Sequence, residues 1–171
     1  NQTPNKRFNY GIFLGFIRNA YDYFGSVYVP TAGQNLQDPG PGMQLDAQFY
    51  AEVKPVDPLR ASISYTKRRL TRNDNAVRVL DSDLVTFRST YQFSRFLFAR
   101  VRLDYNDFDN DYSGQALFGW NPNPGTAFYV GYNDAFNYSG HSDFTGQPEP
   151  GFNRTSRTFF IRASYLFRKS F

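Results

Sequence analysis

The chain has 171 residues, no cysteine, one histidine, one tryptophan and a net charge of +4. Zero cysteines exclude a disulfide framework and a cysteine-ligated metal. Mean hydropathy is −0.58, and no apolar run approaches the roughly 20 residues that a membrane helix requires. The basic residues mostly alternate with apolar ones instead of forming a patch, which argues against a nucleic-acid partner. Aromatic residues make up 19% of the chain, with 19 Phe and 13 Tyr among evenly spread Arg and Asp. A β structure with one apolar and one polar face produces that mixture.

Residues 1–42 carry the weakest pattern. Phe8, Tyr10, Ile12, Leu14 and Phe16 share a face against Asn9, Gly11 and Gly15, although Phe13 and Ile17 blur it. A second strand is predicted around 21–29. From 43 to 54 the alternation is strict: Met43, Leu45, Ala47, Phe49, Ala51 and Val53 against Gln44, Asp46, Gln48, Tyr50, Glu52 and Lys54. Such a period of two specifies a strand and its register. The turn-rich 55–58 follows. Strands are then predicted at 59–66, 85–93, 97–106, 116–120, 128–132 and 158–167, with short links at 94–95 and 121–125. The total is about nine.

Longer connections are expected near 30–42, 68–82, 107–114 and 134–156, alternating with the short ones. Short turns at one end and long loops at the other typify a transmembrane β-barrel with strands of about 9–11 residues. The expected fold class is therefore all-β: an antiparallel outer-membrane β-barrel, with residues 1–171 as its C-terminal segment. The C-terminus is expected on the periplasmic side and the long loops outside, with the first strand running inward. An odd strand count with an external start implies either missing upstream strands or one miscounted strand, the former being preferred and making this chain part of a larger barrel. The absence of an initial Met and signal peptide is read as a mature chain or a fragment of a longer one. A water-soluble barrel or sandwich is the alternative, its apolar face being the core.

Facing lipid, the apolar positions of the clear strands carry no charge over their central stretch. Charged residues fall on the opposite face: Asp46, Glu52, Lys54, Arg60, Arg88, Arg100, Arg102, Asp104 and Arg162. These are the candidate lumen-lining residues. They can form an anion-favouring interior, or the arginines can pair with Asp46, Glu52 and Asp104 and fill the space. Aromatic girdle positions are expected at Tyr65, Tyr105 and Tyr132 near the long loops, and at Tyr91, Phe93, Trp120, Tyr165 and Phe167 near the turns.

Several segments resemble a known family. Residues 84–107 contain Tyr91, Phe93 and Ser94 at a hairpin corner and the pair Tyr105-Asn106. Residues 119–133 contain Trp120, Pro124, Gly125, Phe128, Tyr132 and Asn133, and 157–168 close on Tyr165 to Arg168. Over roughly 43–168 the chain resembles the C-terminal barrel region of an uncharacterised family of exported bacterial proteins. Members of that family carry an N-terminal domain like carbohydrate-binding module family 9. The resemblance implies the barrel; any glycan role would rest on sequence outside this chain, and the family has no settled activity to carry over. The terminal Phe171, with Phe167 and Tyr165, resembles the aromatic end signal of outer-membrane barrels, which implies the assembly machinery as a partner; Lys169 interrupts the pattern.

Asp107, Asp109 and Asp111 form an acidic stretch with carboxylates at alternate positions, a weak Ca²⁺ candidate lacking the Gly and Glu of an EF-hand. His141, near Asp143, has no nucleophile or zinc spacing around it, so no enzyme and no cofactor is expected. The function expected is a channel or transporter for small solutes or glycan-derived substrates. The alternative is an anchor or scaffold that presents loops or docks with other envelope proteins.

Overall fold

The computed structural model describes residues 2–5, 7–23, 28–31, 34–37, 40–74, 76–138, 147 and 151–165. Within these the elements are all strands: β1 (Gln2–Asn5), β2 (Phe8–Asp22), β3 (Tyr28–Thr31), β4 (Gln34–Gln37), β5 (Gly40–Val53), β6 (Leu59–Arg72), β7 (Arg78–Ser94), β8 (Leu97–Asn106), β9 (Asp111–Asn123), β10 (Thr126–Asn137) and β11 (Asn153–Tyr165). Nine of them form one antiparallel sheet in the order β1-β2-β5-β6-β7-β8-β9-β10-β11, and β3 pairs with β4 in a separate two-stranded sheet. Apart from that excursion, each strand lies beside its neighbour in sequence, as short antiparallel connections require.

Several expectations are corrected. The sheet is open: β1 and β11 are its edges, and among the described residues they do not pair with each other. Of the strand expected at 21–29, residues 24–27 lie outside the described residues, while 21 and 22 belong to β2 and 28 and 29 to β3. β2 continues to Asp22 through a bulge at Asn19, whose φ of 59° suits a residue type that tolerates left-handed backbone. The first long strand therefore runs opposite to the expected direction. Strands also occupy most of 68–82, leaving only residues 73–77 as the connection. There the period of two persists with charges in place of apolar residues, so Lys67 opposes Asp83 and Arg69 opposes Asp81. In 107–114 the turn shrinks to 107–110, closed by Asn110 at φ 53°. Connections at one end of the sheet are two to five residues long; at the other, only 23–39 and 138–152 remain long.

The sheet does not enclose a core. Among the described residues no hydrophobic side chain is buried, and Ile12, Phe16, Leu103, Phe159 and Ile161 are more than half exposed. The accessible surface is 12517 Å², against about 8,600 Å² for a folded globular protein of this mass. What holds the sheet is its ladder and the cross-strand side-chain pairs on each face. Glycine helps locally: the Phe160 ring lies over Gly131 and the Phe98 ring over Gly119, where an added Cβ would come within 2.1 Å and 2.5 Å of a ring carbon. Gly131→Val is therefore expected to displace Phe160 and destabilise the sheet by about 1–3 kcal/mol. Denaturant unfolding of the single variants and of Gly131→Val with Phe160→Ala checks this, since the second change should cancel part of the first.

Candidate functional site

The two faces of the sheet are the feature that can act. Opposed residues share a face, so one row can be followed across all eight long strands: Ile12, Phe49, Tyr65, Val85, Tyr105, Tyr112, Phe136 and Arg154. The rows below it carry Ile63, Phe87 and Leu103, then Val101, Ala116, Tyr132 and Phe159, then Tyr91, Ala99, Phe118, Val130 and Ile161. All the apolar positions expected in 43–165 that fall in strands thus join one face. At its turn end Trp120 stacks on Phe128 with centroids 5.4 Å apart, and Tyr91 meets Phe93 edge-on at 4.8 Å. Phe167, Phe171, His141 and Asp143 lie outside the described residues.

At the opposite end the apolar band stops at tyrosines. Tyr65, Tyr105 and Tyr132 each donate a hydroxyl hydrogen bond to an aspartate two residues or one strand away: Asp83, Asp107 at 2.8 Å and Asp134 at 2.6 Å. Each ring thus stays with the apolar residues while its oxygen meets charge. Beyond them lies a network that the sequence reading missed by treating 68–82 as loop. Lys67 Nζ sits 2.7 Å from Asp83 and 3.1 Å from Asp81, and Arg69 Nη2 is 3.0 Å from Asp81. Arg154 Nε lies 2.9 Å from Asp134. Charges at odd positions, continuing the strand period, were the available signal.

The border between apolar and charged residues is level across β6 to β9, where Tyr65, Val85, Tyr105 and Tyr112 share one row, and descends between β2 and β10 taken as a whole. The row through Tyr132, the residue below Asp134 on this face of β10 (Phe136 lies above it), runs by Ala116, Val101, Ser89, Ala61 and Val53 to Phe8 on β2. On β2 the apolar run continues eight residues further, to Phe16. Eight residues of strand are about 27 Å and the six strand spacings from β2 to β10 about 29 Å, so between these two strands the border descends on average at roughly 40° to the rows. The lower border descends in the same sense. Phe8 shares its row with Phe159, and the apolar positions on β11 continue six residues lower to Tyr165.

The polar face collects Asp46, Glu52, Arg60, Arg88, Arg100, Arg102, Asp104 and Arg162, as expected; Lys54 sits in the turn after β5, 3.8 Å from Glu52. A cavity of about 560 Å³ opens on this face, lined from Arg60 on β6 to Phe160 on β11 and including Arg88, Arg100 and Arg102. Six strands meeting one cavity make this face concave. Arg60 Nε lies 3.4 Å from Glu52, and Arg102 Nε 2.7 Å from Asp104 Oδ2. The Arg102 N–H does not point at that oxygen, so the contact is ionic without a formed hydrogen bond. Thr86, buried, donates to the other oxygen of Asp104 at 2.6 Å. Asp46 is taken by Arg68 at 2.9 Å, not by the central arginines.

The acidic stretch is not assembled as a metal site. Asp107 accepts from Tyr105, Asp109 from Asn106 and Asp111 from Asn137. Among the described residues no three acidic or histidine side chains are grouped to hold a metal. No family model, curated protein or solved structure matches the chain.

Beyond the apolar band, hydrogen bonds from Arg69 hold the Asp81 carboxyl below its ordinary range, and Lys67 with Tyr65 does so for Asp83. A carboxylate with a depressed folded pKa stabilises above its unfolded value and loses that contribution as pH falls through the folded one. Stability is therefore expected to decline below about pH 4, with a shallower acid slope in Asp83→Asn. Unfolding midpoints measured from pH 6 to pH 2 check both.

Proposed function

We propose that this sheet is wall of an outer-membrane β-barrel, with its apolar face on lipid and its concave polar face on a water-filled lumen that passes small solutes. The observation that carries the proposal is the oblique apolar band. A bilayer imposes a horizontal border, and strands tilted by about 35–45° would carry that border diagonally across their rows; the descent averaged from Phe16 on β2 to Tyr132 on β10, roughly 40°, lies in that range. A soluble sandwich has no reason to lower the border of its apolar face from one side of the sheet to the other. The Tyr–Asp pairs suit the upper interface, where an amphipathic ring sits between hydrocarbon and water. Trp120, Phe128 and Tyr165 suit the lower one. The backbone groups along the outer edge of β11 would need partners within a bilayer, and further strands closing the barrel would supply them. The resemblance of residues 43–168 to a family of outer-membrane barrels points the same way.

On this reading the C-terminal end of β11 faces the periplasm and the connections 23–39 and 138–152 face outward. Lipid and the outer-membrane assembly machinery are the partners. Conductance of the full-length protein in planar bilayers tests passage, and a folded barrel without conductance would make it an anchor instead.

Two further outcomes are expected. In vesicles of brominated lipid, the fluorescence of Trp120, the chain's one tryptophan, should be quenched more strongly than by aqueous acrylamide. Val101→Arg, at mid-height on the apolar face, should destabilise the inserted protein by about 2–4 kcal/mol, while Gln48→Arg on the polar face should change it by less than about 0.5 kcal/mol. Equal effects in a denaturant titration would count against the lipid-facing assignment.

A further inference from the structure

Among the described residues the polar face carries cations without a carboxylate at Arg162 and, grouped together, at the centre of β7 and β8. Arg88 on β7 is directly opposed to Arg102 on β8, and Arg60 and Arg100 both oppose Thr90, the next residue on the same face as Arg88. Around Arg88, Arg102 is thus directly opposite and Arg60 and Arg100 are each one diagonal away. Like charges directly opposite across a strand pair destabilise a sheet. Two carboxylates serve the four: Glu52, shared between Arg60 and Lys54, and Asp104 beside Arg102. Among the described residues no carboxylate lies within salt-bridge distance of Arg88 or Arg100, and Arg100 has only the Phe98 ring, 5.8 Å from its guanidinium carbon. The cavity of about 560 Å³ opens on this patch, and its wall includes neutral hydrogen-bonding side chains, Ser62, Thr90, Gln115 and Asn133.

We propose that this patch binds a small polyvalent oxyanion, a solute bearing two or more phosphate, sulfate or carboxylate groups. The planar fork of arginine matches such groups bidentately. Arg88 and Arg100 supply the uncompensated charge; Arg60 and Arg102, half-neutralised by carboxylates, orient the flanks. The Ser, Thr, Gln and Asn side chains bond the uncharged parts. A face built only for packing would neutralise opposed arginines, as β6 and β7 do with Lys67, Arg69, Asp81 and Asp83. An arginine that faces another arginine across the ladder and has no carboxylate of its own, as Arg88 does, is instead a cost to the empty sheet that a bound anion removes. The proposal extends the barrel reading, since the lumen is where a solute would meet this face.

The test uses the full-length protein in detergent micelles, with pyrophosphate as probe and maltose as neutral control. Wild type should bind pyrophosphate by calorimetry, with an affinity that falls as salt rises, and its unfolding temperature should rise with pyrophosphate but not with maltose. Arg88→Gln with Arg100→Gln should weaken binding at least tenfold, and without pyrophosphate should unfold at the same temperature as wild type or higher. Arg88→Lys with Arg100→Lys should fall between them. Wild type indifferent to pyrophosphate would overturn the proposal. So would a Gln variant that keeps its affinity, or one that is less stable or unfolded without the anion, since the arginines would then be structural. Trp120 quenching on the same preparations separates the two readings. Quenching by lipid without pyrophosphate binding defeats the oxyanion site alone; binding with Trp120 unquenched supports the site and defeats the membrane assignment.

Discussion

Everything in this molecule depends on the parity of strand pairing. A side-chain period of two means that a one-residue slip anywhere would invert every face beyond it. The rows through Tyr65 and Tyr132 cross from β2 to β11 without such an inversion. Irregularities occur in the ladder at 18/20, 70/71, 92/94, 126/128 and 135/136, all towards strand ends. Bulges there bend the strand or close a turn while the central rows stay in step. Two chemically distinct surfaces are the result.

The same parity leaves the apolar surface uncovered by protein among the described residues. In water, removing a Val, Leu, Ile or Phe side chain from solvent is worth about 1.5–3 kcal/mol, and this sheet leaves many such side chains exposed. A lipid environment would supply what a second sheet supplies in a sandwich. On the proposed membrane reading, the tyrosine–aspartate pairs and the ion network around Lys67 would hold the strands together by charge where they continue past the hydrocarbon, and the descent of the apolar border from β2 to β10 would correspond to a strand tilt.

On the other face, charge is organised in two ways. Near the long connections, cations and carboxylates match: Arg68 with Asp46, and Arg72 with Asp74 at 2.6 Å. In the middle of β6, β7 and β8 they do not, and it is there that the face is hollow. An arginine row facing a wide, concave and accessible space differs electrostatically from the same residues in a filled interior, where each would need its own carboxylate.

Much of this was legible in the sequence. From residue 43 onward, alternation alone assigned almost every side chain to its face, because a strand's geometry gives no third choice. It also identified Arg60, Arg88, Arg100 and Arg102 as sharing the polar side, and Tyr65, Tyr105 and Tyr132 as border residues. Strand lengths were underestimated wherever charge replaced apolar residues at alternate positions. Lys67, Arg69, Asp81 and Asp83 look like a loop when hydrophobicity is the signal, and like a ladder once they face one another. The reversed direction of β2 was hidden for a similar reason, since the bulge at Asn19 and the β3–β4 hairpin lie in a stretch of weak pattern. What only the tertiary structure decided is register. Alternation says which face a residue is on, but not which residue opposes it. The opposition of Arg88 to Arg102, the seating of Phe160 on Gly131 and the slope of the apolar border all arise from hydrogen-bond pairing between strands, which no local property of one strand encodes.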